Sequence, residues 1–302
     1  MRNRDASIIF IALSGLSSLF YAIILPVELV YLIKVVGFNP LQLVLIGTLR
    51  QSINFLFQVP TGILADMYSR RLAVVLGILL TGVGYLMEGS SLMFAVLFAA
   101  QVLVGFGSTL MNGADAAWIA DEIGAERVGV VYLRAAQVGS LTSLLGIAIS
   151  AVLVNVGLNL PLVLSGSLFI VLSILLVLVM PERHFTPARR EDRNALQQVR
   201  HTLRAGIQVV LLRPVLLIIL STVVFSGMFS AGFDQLWNYY LLHSFVFPVL
   251  GGLTSVTWFS VIEVGIVMTN FFGISIVKWC IDTNSHRAVV VALFIVDNVS
   301  SG

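Results

Sequence analysis

Residues 62–76 read GILADMYSRRLAVVL, and residues 278–292 read KWCIDTNSHRAVVVA. A shift of 216 residues lays Asp66 on Asp282, Ser69 on Ser285 and Arg71 on Arg287. His286 then takes the place of Arg70, and valines follow in both segments, at 74–75 and 290–291. Each polar stretch comes after an apolar run long enough for a helix to cross a bilayer, which takes about 20 residues. A carboxylate, a hydroxyl and an arginine recurring at the same place after two such runs predict a chain built from repeated halves.

Outward from these loops the chain is mostly apolar. It is 302 residues long, 58% hydrophobic and only 11% charged, whereas a soluble domain is about 45–50% apolar and about 25% charged. A water-soluble chain of this length could not hide so much apolar surface. The runs predict membrane helices near 7–33, 41–66, 72–90, 92–119, 129–155, 160–180, 214–242 and 253–279, with a ninth beginning near 288. The first run, Ala6 to Val36, is too long for a cleaved signal peptide. The run lengths require helices, because backbone groups in lipid must be satisfied within the segment. Short connections at 34–40 and 156–159 make neighbouring helices antiparallel.

With the N-terminus inside, Arg2, Arg4, Arg70, Arg71, Arg127, Lys278 and Arg287 fall on the inner side, and Lys34 alone falls outside. Cytoplasmic loops carry the Lys and Arg excess, so a multi-pass cell-membrane protein with a cytoplasmic N-terminus is expected. The stretch from Pro181 to Arg213 is long, basic and polar. Within it Leu196, Val199, Leu203, Ile207 and Val210 recur at helical spacing, with Arg193, Arg200 and Arg204 mostly off that stripe. This pattern predicts an amphipathic helix on membrane lipid. The expected organisation is a six-helix bundle at 1–180, a cytoplasmic linker at 181–213 and a partial second bundle at 214–302.

Gly62, Asp66, Arg70 and Arg71 resemble the signature loop of the major facilitator superfamily, roughly G-x-x-x-D-(R/K)-x-G-R-R, with Met67 at the usual basic position and Ser69 at the usual glycine. The resemblance extends over essentially the whole chain. It implies an all-α membrane fold, with a complete six-helix N-terminal half and a partial C-terminal half. It also implies a substrate site between the halves, and alternating access by rocking about that site. The family's loop aspartate and arginine help to hold closure on the inner side. Carried onto this sequence they are Asp66 and Arg70, with Asp121 at the end of span four as a partner. Such charge-assisted hydrogen bonds can exist in one state and break in the other. The stretches GADAAWIADEIG (113–124) and YLRAAQVGSLTSLLG (132–146) also resemble the drug-efflux branches. Span five has no proline, and Gln101 stands where proton-coupled exporters often carry an arginine in span four.

Six ionisable residues lie at membrane depth: Glu28, Arg50, Asp115, Arg134, Asp234 and Glu263. Such groups are costly there and tend to face the bundle interior. Asp115 and Arg134 sit about 9–10 Å inside the same face, at 1.5 Å per residue, so an ion pair between spans four and five is expected. Glu28 and Arg50 differ in depth by roughly 6 Å on the same scale. Structural pairing and substrate contact are both open for them. Asp234 and Glu263 have no local basic partner and are candidates for substrate or proton coupling. In span five Gly139 with Ser143, and Gly146 with Ser150, have the spacing that lets helices approach closely.

No phosphate-binding Gly-x-x-x-x-Gly-Lys-Ser/Thr loop is present, and His184, His201, His243 and His286 are scattered. Cys280 is the only cysteine, so it supports neither an internal disulfide nor a cysteine metal site. The expectation is a secondary transporter of a small molecule, with efflux favoured and protons as the candidate coupling ion. It would need no cofactor and bind no nucleic acid. Uptake symport and a non-transporting truncated fragment are the alternatives, since the repeat predicts roughly 100 residues beyond Gly302. An intramembrane enzyme or a channel fits less well.

Overall fold

The computed structural model describes residues 2–183, 185, 204, 208, 212–244 and 255–282. The predicted linker helix, most of the 181–213 stretch and the second copy of the loop beyond Asp282 lie outside the described residues. Every regular element among the described residues is an α-helix.

The helices are α1 (Arg2–Ile24), α2 (Glu28–Lys34), α3 (Pro40–Met67), α4 (Arg70–Ser90), α5 (Phe94–Met111), α6 (Ala114–Ile123), α7 (Ala125–Leu153), α8 (Leu160–Val179), α9 (Pro214–Ser244) and α10 (Ser255–Asp282). α1 through α8 make six passes, because the first and fourth are each broken in two. Pro26 lies in the turn between α1 and α2, where its missing N–H would otherwise leave a gap in the helix ladder. Gly113 separates α5 from α6 with φ +86, a left-handed conformation that glycine adopts without steric cost. The spans expected at 7–33 and 92–119 are therefore each two helices.

Five stretches among the described residues are long and apolar enough to cross a membrane: Ala6–Lys34, Arg70–Ser90, Phe94–Ile123, Glu126–Leu153 and Leu160–Val179. α3 has 28 residues, ample length for a crossing, but Gln51, Ser52, Asn54 and Gln58 make it more polar than the others. Asn39 begins it with a capping box: its side chain accepts from Gln42 N at 2.9 Å, and its own N–H donates to Gln42 Oε1 at 3.0 Å. α9 and α10 have 31 and 28 residues.

α1 packs on α7 and α8, α4 packs on α5 and α8, and α3 packs on α5. Small residues set the α1–α7 approach, as their spacing suggested. A Cβ on Gly139 would meet Ser18 Oγ at 2.8 Å, and one on Gly146 would meet the Ala22 side chain at 2.8 Å. Hydroxyls fasten the same seams: Thr142 Oγ1 donates to Gly15 O at 2.7 Å, Ser165 Oγ to Phe20 O at 2.7 Å and Ser173 Oγ to Val75 O at 2.9 Å. Phe169 of α8 lies against Phe20, Tyr21 and Tyr85, with ring centroids 5.1, 5.0 and 6.5 Å away. α10 packs on α7, and α9 packs on α3 and α2. Trp237 and Phe259 join α9 to α10, edge to face at 6.0 Å.

Candidate functional site

Two polar centres stand out, one at the end of the bundle that carries Arg70, Arg71 and Arg183, and one buried between α2, α3, α4 and α5. At the basic end, α3 stops at Met67 and Ser69 caps α4. Its hydroxyl oxygen accepts from Leu72 N at 2.9 Å and donates to Glu182 Oε2 at 2.7 Å. The serine at the usual glycine position is thus a helix cap.

Arg70, the first residue of α4, reaches in two directions. Its Nε donates to Asp66 Oδ1 at 2.9 Å. One terminal nitrogen donates to Asp121 Oδ2 at 2.5 Å and to Ala117 O at 3.0 Å on α6. Asp66, Arg70 and Asp121 are therefore brought together, all within the first six passes. The Arg71 guanidinium donates to Val177 O, and its backbone N–H donates to Glu182 Oε1 at 3.1 Å. Gly62 stands where a Cβ would meet nothing within 4 Å.

Three further groups complete this end. Glu182 accepts from Ser69 and Arg71, Glu122 Oε1 accepts from Arg183 N at 2.7 Å, and the buried Trp118 donates from Nε1 to Pro181 O at 2.6 Å. Together they hold the chain that leaves α8 against α4 and α6. Glu182 stands at the start of the polar 181–213 stretch, with no local sequence signal for this role.

The buried centre starts at the α1–α2 break, which turns Glu28 inward as the first residue of α2. Arg50 of α3 donates to Glu28 Oε1 at 3.3 Å. The offset in depth expected for these two is spanned by the arginine side chain. Gln101 of α5 donates from the same Nε2 to Glu28 Oε1 at 3.4 Å and to Glu88 Oε2 at 3.0 Å. Tyr31 covers the end of α4, with its hydroxyl donating to Glu88 O at 3.2 Å. Glu88 lies at the edge of a span, where an acid gives no sign of burial, and Gln101 stands out in the sequence only as a departure from a pattern.

The ion pair expected between Asp115 and Arg134 is not formed; neither belongs to the three ion pairs found among the described residues. Equal depth would hold only for unbroken helices. The break at Gly113 makes Asp115 the second residue of α6, and its Oδ1 accepts from Ala116 N at 2.7 Å, where a carboxylate also meets the positive end of the helix dipole. Arg134 is exposed on α7. Asp234 lies on α9, and its side chain is outside the described residues.

Glu263 of α10 faces a cavity of about 340 Å³ lined also by Ser18, Tyr21, Pro26 and Ser143. The cavity lies where α10 meets α1 and α7, and it is in the size range of small-molecule sites. Tyr21 lies between this cavity and the buried centre, its ring 6.2 Å from that of Tyr85. No group of three or more His, Cys, Asp or Glu among the described residues could hold a metal.

A family model described as Major Facilitator Superfamily matches residues 10–296. The chain is 21% identical, over 77% of its length, to the uncharacterised MFS-type transporter YxaM of Bacillus subtilis (strain 168), and it spans 57% of that relative. In fold it is similar to the nucleoside transporter NupG, seen as a D323A mutant, with a TM-score of 0.71 at 13% identity, covering 91% of this chain and 68% of that one. It is also similar to a POT family transporter solved with a thioalcohol-conjugated peptide, with a TM-score of 0.66 at 14% identity, covering 92% and 70%.

Proposed function

The chain belongs to the Major Facilitator Superfamily, and on that premise we propose that it serves a secondary active transporter moving a small molecule across the cell membrane by alternating access. The observation that carries this reading is the bonding of Arg70 to both Asp66 and Asp121. It is a set of charge-assisted bonds at helix ends, of the kind that can be made in one state and released in another.

In this reading the cavity beside Glu263 receives the substrate, the second bundle moves against the first, and the Glu28–Arg50 pair is the candidate for substrate contact or coupling. Asp234 is a further candidate for either role. The N-terminus and the 181–213 linker are cytoplasmic in this reading, and the linker's sequence suits a basic amphipathic segment at the membrane surface. Efflux is the favoured direction, with uptake symport the alternative. Nucleosides and peptides enter as trial substrates through the NupG and POT likeness, and lipophilic amines through the resemblance to efflux proteins.

The test is transport in proteoliposomes, with each substrate class offered with and without a proton gradient. Saturable, gradient-dependent flux that Asp66→Asn abolishes while membrane insertion is retained supports the reading. Flux no greater than in empty vesicles for every class, or full flux with Asp66→Asn, overturns it.

A further inference from the structure

The buried centre contains one cation and two carboxylates. Arg50 is within 4 Å of Glu28 and is not paired with Glu88. Glu88 is 0% exposed, and among the described residues the one hydrogen bond to its carboxylate comes from the Gln101 amide. Its second oxygen, Oε1, is buried with no hydrogen-bond partner. The Tyr85 hydroxyl is likewise buried and without a partner, within electrostatic reach of Arg50, Glu28 and Glu88.

An ionised Glu88 would leave a whole negative charge in an apolar interior with half of its acceptor capacity unused. Burial of that kind is among the most unfavourable arrangements a protein can hold, and the group neutralises instead. The remaining titratable neighbours do not supply a cation. Glu28 adds like charge, and Tyr21, Tyr31 and Tyr85 are neutral phenols. α8, which packs on α4, has no ionisable side chain at all.

We propose that Glu88 is a proton-binding site: its Oε1 carries one proton, taken from and returned to water, while Oε2 accepts from Gln101 and Glu28 stays ionised against Arg50. Gln101 is a positioning residue, because its single amide nitrogen links the two carboxylates and communicates the charge of one to the other. Arg50 is a third exposed, so its departure from Glu28 would change the charge that Glu88 meets. Any use of this proton in coupling rests on the transport reading; the protonation itself does not.

The test reads protonation directly. Infrared spectra of the purified chain in detergent at neutral pH should show a carbonyl stretch of a carboxylic acid in apolar surroundings, a component of which Glu88→Gln removes. Glu88→Gln, a neutral isostere of the protonated form, should leave the melting temperature unchanged, whereas Glu28→Gln should lower it by stranding Arg50. Gln101→Leu should keep the acid band and shift its frequency. An acid band that Glu88→Gln leaves undiminished, the absence of any such band in the parent chain, or a melting temperature that falls as far with Glu88→Gln as with Glu28→Gln would overturn the proposal. A protonated Glu88 in a chain that moves no substrate would leave the proton site standing and remove the transport reading.

Discussion

Each polar centre holds a cluster of one arginine and two carboxylates, Arg70 with Asp66 and Asp121 at the basic end and Arg50 with Glu28 and Glu88 in the interior, and the two clusters use it differently. At the basic end Arg70 touches both acids, and the side chains of Arg70, Asp121 and Asp66 are 21%, 31% and 57% exposed. In the buried centre Arg50 touches only Glu28, at 11% exposure, and Glu88 is reached through an amide at 0%. Water and salt screen the surplus negative charge of the first centre. Nothing screens it in the second, which has to be neutralised from within. On the proposed reading, a similar cluster of charges therefore serves as a releasable latch where water enters and as a proton site where it does not.

The comparison breaks most readily at Arg50. Arg50→Met should destabilise the chain by about 3 kcal/mol, the lower end of the cost of stranding one partner of a buried pair, because Arg50 itself is partly exposed. Unfolding in detergent against a denaturant series measures this, and a loss below about 1 kcal/mol would place the pair with surface bridges. Next comes Gln101→Leu, which leaves both carboxylates without their shared donor and should cost about 1–3 kcal/mol. The same unfolding experiment reads it, and a neutral result would mean that another donor reaches Glu88.

The latch should respond differently. Asp66→Asn and Asp121→Asn should each change stability by about 1 kcal/mol or less, with the effect shrinking as salt is raised. Transport in vesicles should nevertheless fall with Asp66→Asn. A salt-independent loss would show that the latch is drier than its exposure indicates. Smallest of all is the coupling between Asp115 and Arg134. Reversing both charges should give a stability change within about 0.5 kcal/mol of the sum of the single reversals. A larger coupling in this double-mutant cycle would reveal a second conformation in which the two residues meet.

The order of the passes was legible because apolar runs and their short connections are local signals. The loop centre was half legible. Asp66, Arg70 and Asp121 come together as expected, but Glu182 joins them from 113 positions beyond Ser69, a separation that no local pattern reports. Pro26 and Gly113 sit inside continuous apolar runs, so their breaks left no trace in composition, and the Gly113 break redirected Asp115. Glu88, two residues from the end of α4, has the sequence position of an interfacial acid. Only the packing of α2 and α5 over that end, with Tyr31 and Gln101, makes it interior.

The place of α8 has a consequence for how the bundle is made. α1 and α4 are both seated on α8, through Ser165, Ser173 and the ring of Phe169. Of the six passes, α8 is the last to leave the ribosome. Five passes must wait in the lipid without it, the carbonyls of Phe20 and Val75 still lacking their hydroxyl donors. A chain cut before Leu160 would therefore leave the assembly unfinished, with α1 and α4 lacking the helix on which both are seated.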